Sequence, residues 1–432
     1  MQNPVEPYAN MLSQPDWWLS LRGVHPEVRN LFSLSWVESP QAGRIQKFLV
    51  NWKKITNDPY ILKIVKGWEI PLEEIPTQNR LPHEIKMNLA ERNATDLEIE
   101  SMLAKGAIRE AIPKADQFLS NIFVVPKGEE EYRPVINLKD LNNFIPYQHF
   151  KMEGLKDVKH LLRKGDWMCK LDLKDAYFSI PLGPQSRKRV RFVWRNKLYE
   201  FLCLAFGLGP APRIFTKLMK VPVSLLRKLG IRLVIYLDDL LLIASSRESL
   251  LMARDTALFL FHHLGLTINS KKSVLKPSQI LEFLGIQINS ILMTFSLPQK
   301  KIEKLTKKCQ ELLTSRRASL RDICSIIGKL RATAPAVIPA PLQLRYLQQA
   351  CIQAQHKKLR YESIVSIPSE GLLELNWWVN NLRLLKGNPL QLPAPDMIIC
   401  SDAAGDAAGD AAGERFVIWD RQGVFGPKRK QP

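Results

Sequence analysis

The stretch Ile231–Ala244, IRLVIYLDDLLLIA, decides how this chain is read. Two apolar runs, each long enough for a strand, close on an adjacent acidic pair, Asp238 and Asp239. That pattern predicts a buried β-hairpin with carboxylates at its turn. An ordinary tight turn would use Asp-Gly or Asn-Gly. Two carboxylates between hydrophobic strands repel each other and lose hydration unless a cation compensates them, and a divalent metal is the natural compensator. Alone, the pair is better read as an ordinary solvent-facing acidic turn, because two residues make a weak motif.

The stretch Lys170–Ile180, KLDLKDAYFSI, shifts the balance. It too predicts a strand running into a turn, with Asp172 and Asp175 at its end. A chain that brings Asp172 beside Asp238 and Asp239 has three carboxylates for two divalent ions, an arrangement suited to nucleotidyl transfer.

Composition is compatible with that chemistry. The chain has 432 residues, enough for two to four domains, and an apolar fraction of 46% that excludes a disordered protein. Lys and Arg outnumber Asp and Glu by 62 to 42, a formal +20 that favours a polyanionic partner, nucleic acid or an acidic membrane surface. The six cysteines are widely spaced, without a CxxC or a histidine cluster, so structural zinc and a secreted disulfide scaffold are not expected. Adjacent His262 and His263 cannot share one helix face and are expected to flank a core helix rather than bind metal. No run of eighteen apolar residues and no signal-like amino terminus occur, so the expectation is a soluble intracellular protein, cytoplasmic or nuclear, with no membrane partner.

Around the two acidic stretches the chain divides by composition. Residues 1–43, rich in Pro, Asn and Ser with Trp17, Trp18 and Trp36, predict an extended arm whose aromatics dock elsewhere, or a partly disordered one. Residues 43–75 predict short basic amphipathic helices broken at Asn57-Asp58-Pro59, and Leu89–Lys105 a helix ended by Gly106. Ile122–Pro126 and Tyr132–Leu138 predict a hairpin, with Pro134 marking an edge strand or bulge. Lys127 and Arg133 on it, and Lys139 just beyond, either clamp a triphosphate or face water. Arg187, Lys188, Arg189 and Arg191, ahead of two strands around 190–201, suit a phosphate backbone or form a solvated turn. Gly207 and Gly209, between Phe206 and Pro210, shape a loop whose backbone can approach a flat ligand, and a helix begins near Pro212. Ser246–Leu266 predicts a helix, 269–272 a polar turn with two lysines, and Ile280–Ile288 a strand bent at Gly285. Residues 300–331 carry ten Lys or Arg against three acids and predict basic helices with one packed face. A proline-rich joint follows at 333–342, then helices in which Trp377 and Trp378 are expected to be packing groups. Near the end, MIICS delivers Asp402 before DAAG repeats three times over 402–413, and residues 397–432 read as a fragment.

In order and spacing, FLSNIFVVPK, YRPVINLKDLNNFI, HFKMEGL, LDLKDAYFSI, LAFGLGPAPRIF, YLDDLLLIA and LEFLGI resemble a retroelement reverse transcriptase. The resemblance is to the DIRS-like, tyrosine-recombinase class of retrotransposons, and more distantly to gypsy-type and retroviral enzymes; its core covers residues 84–290. It implies an α+β right-hand polymerase: N-terminal arm 1–43, helical extension 44–83, fingers mostly 84–171, palm mostly 172–290, thumb-like basic helices 291–332, connection 333–396 and an incomplete RNase H-like end 397–432. The implied activity is RNA-directed DNA polymerisation, with Mg²⁺ as two ions (Mn²⁺ a substitute), an RNA template, a DNA primer and dNTPs as partners, alongside other retroelement proteins.

Carried onto this sequence, the resemblance makes Asp172, Asp238 and Asp239 the catalytic metal-binding carboxylates, with the Leu173 carbonyl joining them. Lys127, Arg133, Lys139, Asp175, Ala176, Tyr177, Phe206, Gly207 and Lys272 match dNTP-binding positions, Tyr177 as the gate against a ribose 2′-OH. Phe206 stands where retroviral enzymes have Gln, which removes a polar contact. For the primer–template it implies Leu284 and Gly285 as the hairpin that grips the primer, while the basic character of Arg187, Lys188, Arg189, Lys304 and Lys308 suits its backbone. Asp402 matches the first acid of RNase H, but the later carboxylates are missing, so nuclease activity is not expected from this chain alone. Two rival readings are a catalytically inactive nucleic-acid-binding protein derived from a retroelement and a telomerase-like polymerase; the latter lacks a dedicated RNA-binding region here.

Overall fold

In the computed structural model the described residues are 17–32, 42–78, 81–82, 85–126, 132–390, 398–402, 415–420 and 423–424. Uninterrupted apolar strands call for burial on both faces, and the 231–244 stretch is buried in that way. Arg232–Tyr236 and Asp239–Ala244 pair antiparallel with Tyr236 opposite Asp239, leaving Leu237 and Asp238 as the whole turn. Trp167–Asp172 pairs antiparallel on the other side, and Val274–Ser278 completes a four-stranded sheet. Alternate residues enter two different cores. Cys169, Leu171, Leu240 and Leu242 join one; Met168, Val234, Leu241 and Ile243 join the other.

The first core is closed by the helices Ala211–Lys228 and Arg247–His263, which pack on the sheet. The first starts beside Pro212 as expected, where a missing N–H is harmless, and buries Ile214, Phe215, Leu218 and Leu226 completely. Removing one such leucine side chain would cost roughly 2–5 kcal/mol. The described part of the N-terminal segment is helical rather than extended: Trp17–Ser20 and Pro26–Leu31 dock on Arg247–His263. Trp18 stacks on His262 and Phe32 on His263, each at 5.3 Å between ring centroids. Burial, with neighbouring His263 and Arg44, pushes His262 down to about 3, so it serves here as a neutral aromatic platform. Arg44–Phe48 runs into Leu49–Ile55, and Asp58 caps Pro59–Gly67 by accepting the Tyr60 N–H at 2.8 Å.

Ahead of the central sheet, Leu89–Ala104 opens with a capping box between Asn88 and Glu91 and stops before Gly106, whose φ of 68° suits glycine. Ile108–Glu110, Lys197–Phe201, Arg191–Trp194 and Leu119–Ser120 form a second four-stranded sheet in that order. Ile122–Pro126 and Tyr132–Ile136 make a separate two-stranded hairpin, where Pro134 interrupts no further ladder.

The expected bent strand at 280–288 is instead a hairpin, Ile280–Phe283 with Ile286–Asn289. Leu284 and Gly285 form its turn with φ of 50° and 72°, two positive values that reverse the chain rather than bend it. This hairpin continues through Thr294–Ser296 to Asn388–Pro389 and caps the second core with Gln299–Ser315, Leu320–Arg331, Arg345–His356 and Ser369–Asn381. Trp378 is fully buried there and donates through Nε1 to the Gln343 carbonyl at 2.7 Å. Ile398–Asp402, Arg415–Asp420 and Gly423–Val424 pair antiparallel, with Asp402 opposite Arg415. The chain is α+β, and among the described residues no helix is long and apolar enough to cross a membrane.

Candidate active site

The sheet register places the acids. Asp172 lies directly opposite Asp239 on the neighbouring strand, so both side chains share one face with Lys170, Leu241 and Met168. Along that face apolar packing gives way to charge at the hairpin end. The turn is strained: Leu237 adopts φ 54° at the first turn position, where glycine is usual, at a cost of roughly 1–3 kcal/mol. Backbone contacts hold the strained turn in place. Leu173 N–H donates to the Asp238 carbonyl, Asn269 N–H to the Asp172 carbonyl and Lys174 N–H to the Thr267 carbonyl, each at 2.8 Å. Asp172 N–H itself donates to Ser273 Oγ at 3.0 Å.

Electrostatics set these acids apart. Asp172 is only 6% exposed, and burial raises its carboxyl above the usual range; Lys272 and Lys170 oppose the rise, while Asp238 and Asp239 add to it. Burial likewise raises Asp238, with Asp239 adding and its own backbone hydrogen bond, Lys272 and Lys170 opposing. Lys170 Nζ sits 2.7 Å from Asp239 Oδ1, an oxygen closed to solvent that accepts no aligned hydrogen bond among the described residues. Also among the described residues, no three Asp, Glu, His or Cys side chains form a closed metal cage. What exists is a carboxylate edge whose oxygen donors are the type hard divalent cations take, and whose raised acids ionise more readily beside one.

A cleft of about 640 Å³ opens beside this edge, lined by Asp172, Leu173, Asp175, Ala176, Tyr177, Phe206, Asp238 and Lys272. The Tyr177 ring meets Phe206 at 5.2 Å and Phe215 at 5.9 Å. Burial, with Asp238 and Tyr236, pushes the Tyr177 hydroxyl up to about 12, so it remains protonated. Asp175 sits at φ 48°, and its carboxylate lies 3.3 Å from Lys105 Nζ, which also lines the cleft. Lys105, Lys170, Lys174 and Ser273 all escaped the sequence reading. For Lys170 a signal existed, since it precedes Asp172 by two residues and must share its face; Lys105 is seventy residues from Asp175 and left none.

Other expected site residues lie elsewhere. Lys127 is outside the described residues, Arg133 occupies the register position opposite Val125, and Lys139 is exposed at the start of Lys139–Asn142, away from the cleft lining. Gly207 has φ 96°, and a Cβ there would meet the Ile136 carbonyl at 2.8 Å. Its conformational freedom thus serves close approach to another strand, and Asn142 locks the loop by bonding Gly207 O and Gly209 N. Arg187 donates to the Leu182 carbonyl at 2.9 Å, Lys188 pairs with Asp116, and buried Arg189 donates to the Asp116 carbonyl, so these cations fasten the fold instead of facing solvent freely. Gly285 accepts Lys301 Nζ on its carbonyl at 2.9 Å, and Leu284 is half-buried beside Tyr236. On Gln299–Ser315, Lys304 is exposed, whereas Lys308 lies 3.4 Å from Glu311.

Residues 125–288 match the family of reverse transcriptase (RNA-dependent DNA polymerase). The Transposon Tf2-3 polyprotein of Schizosaccharomyces pombe is 25% identical over 300 residues, 69% of this chain and 22% of that protein. The genome polyprotein of Petunia vein clearing virus is 26% identical over 178 residues, 40% of this chain and 8% of that protein. The chain thus spans less than a quarter of the length of either relative. Among solved structures, the foamy viral protease-reverse transcriptase in complex with double-stranded DNA superposes with a TM-score of 0.60 at 17% identity, covering 93% of this chain and 70% of that one. The same viral protein in complex with an RNA/DNA hybrid gives 0.59 at 18% identity, covering 92% and 52%. Residues 125–288 are thus similar in sequence to reverse transcriptase domains of the retrotransposon and retroviral type, and the chain has the right-hand polymerase fold of the foamy viral structures.

Proposed function

We propose that the chain is the RNA-directed DNA polymerase of a retrotransposon, adding dNTPs to a primer 3′-OH on an RNA or DNA template. The observation that carries this reading is the opposition of Asp172 and Asp239 across adjacent strands, with Asp238 at the turn between them and the cleft. Those three carboxylates would hold Mg²⁺, with Leu173 beside them. The ions, when bound, supply Lewis acidity to the primer hydroxyl and the triphosphate. The protein's own contribution is position. Tyr177, braced by Phe206 and Phe215, walls the cleft where a ribose 2′-OH would project, and Ala176 and Asp175 floor it. Lys272 brings positive charge beside Asp172 and Asp238, and Arg133, which the motif resemblance matches to the cation on the incoming triphosphate, stands on the hairpin strand Tyr132–Ile136. Phosphate backbones are gripped without base readout, which agrees with a formal +20.

In the same reading, the second sheet and its hairpin are fingers, the central sheet is the palm, and Gln299–Ser315 with Leu320–Arg331 form the thumb. Leu284 and Gly285 support the primer end, and exposed Lys304 faces its backbone. The DIRS-like assignment rests on the order of the sequence motifs. The test is Mg²⁺-dependent incorporation of labelled dTTP on poly(rA) primed with oligo(dT), with Asp238→Asn beside the parent. Incorporation by the parent and not the variant is the expected result. A parent that binds the duplex yet extends nothing across several metals and templates would instead be a nucleic-acid-binding protein.

A further inference from the structure

Lys105 closes the helix Leu89–Ala104, and its Nζ lies 3.3 Å from Oδ2 of Asp175, both residues lining the cleft. That oxygen is closed to solvent and accepts no aligned hydrogen bond among the described residues, so the lysine is its charge partner. Both side chains are partly buried, at 30% and 21% exposure, which limits screening by solvent. The spacing is fixed by backbone on both sides. Ala42 N–H donates to the Lys105 carbonyl at 3.1 Å, and the next amide, Gly43 N–H, donates to the Phe178 carbonyl at 2.7 Å. Two successive amides thus tie the end of the helix to the turn that carries Asp175, Ala176 and Tyr177. On the palm side, Asp175 sits at φ 48°, in the left-handed region that Asp enters more readily than most residues with a Cβ.

We infer that Lys105 is a positioning residue for the incoming nucleotide, acting through Asp175; this rests on the polymerase reading above. An uncompensated carboxylate in the cleft would repel a triphosphate and swing freely beneath its sugar. Paired with Lys105, Asp175 is neutralised and held still, so the floor of the cleft is set before the nucleotide arrives. Lys105 would then govern nucleotide affinity and leave the chemical step alone. Among the described residues its ion pair is with Asp175, and no ion pair joins it to Asp172, Asp238 or Asp239.

The test is steady-state incorporation of dTTP on poly(rA)·oligo(dT) by the parent, Lys105→Ala, Lys105→Arg, Asp175→Asn and the Lys105→Ala/Asp175→Asn double variant, with duplex affinity measured alongside. Lys105→Ala should raise KM for dTTP about tenfold with kcat within about twofold and unchanged duplex affinity, while Lys105→Arg stays near the parent. In the Asp175→Asn background the same substitution should lose most of its effect, since no charge remains to neutralise. An unchanged KM, a loss confined to kcat, failure of arginine to rescue, or an effect undiminished in the Asp175→Asn background would each overturn the inference. A parent that incorporates no dTTP would sink the polymerase reading itself, a different result from an active parent indifferent to residue 105.

Discussion

Two clusters of buried charge in this chain are treated in opposite ways. In the second sheet, Glu200 is 4% exposed and is bonded by Arg191 Nε and Nη2 at 3.0 and 2.6 Å and by Arg109 at 2.8 and 2.7 Å. Burial pushes its carboxyl up, but the bonds from Arg109 and Arg191 outweigh that and hold it below the usual range. At the hairpin end of the central sheet, Asp172 and Asp238 are raised instead, because burial and mutual repulsion exceed what Lys272 and Lys170 return. The first cluster is satisfied by the protein and so is structural. The second is left short of positive charge, which is the condition in which an acid gains most from a bound cation.

The largest effect should come from breaking the second cluster. Asp238→Asn is expected to lower kcat by about a thousandfold, roughly 4 kcal/mol of transition-state stabilisation, while metal-free thermal stability holds or rises as repulsion is removed. Rapid-quench turnover beside a melting curve reads both. Glu200→Gln should do the reverse, costing about 3 kcal/mol of stability by stranding Arg191, with kcat per folded molecule little altered. Urea unfolding and active-site titration separate the two outcomes.

Acid sharpens the contrast. Because the folded value of Glu200 is depressed, its stabilisation is complete above the ordinary glutamate range, near pH 4.3, and is lost as pH falls through the lower folded value. Glu200→Gln should therefore flatten the acid limb of stability below about pH 4.3, measured by chemical denaturation at stepped pH. The smallest effects belong to cations outside both clusters. Lys304→Ala should reduce the salt dependence of duplex binding by about one phosphate contact, whereas Lys188→Ala, already paired with Asp116, should leave that slope unchanged.

What sequence could reveal follows the range of the contact. The acidic hairpin, the strand ending at Asp172, the helix stopped by Gly106 and the helix starting beside Pro212 rest on neighbours in the chain, and each lies where periodicity and turn chemistry placed it. The roles of Arg191 and Arg189 depend on Glu200 and Asp116, partners set by sheet register and by a contact 73 residues away, so a locally basic run read as a free surface. Periodicity alone reads 280–288 as one bent strand, because Leu284 takes a backbone conformation that its side chain gives no reason to expect; the family resemblance is what marks a hairpin at Leu284 and Gly285.

The two-core sheet has a consequence for how the acids stay aligned. Where one face is wet, a strand that slips by one residue exposes its apolar side chains, and solvent enforces the register. Here both faces of Asp239–Ala244 are greasy, so sliding it would exchange Leu240 and Leu242 for Leu241 and Ile243 between two interiors at little hydrophobic cost. Solvent cannot choose the alignment, and the polar end has to: the two-residue turn, the Leu173–Asp238 bond and the Lys170–Asp239 ion pair. The contacts that frame the acids are therefore also the pins that keep them opposite one another, and Lys170→Met would loosen the alignment of the strand as much as the charge on Asp239.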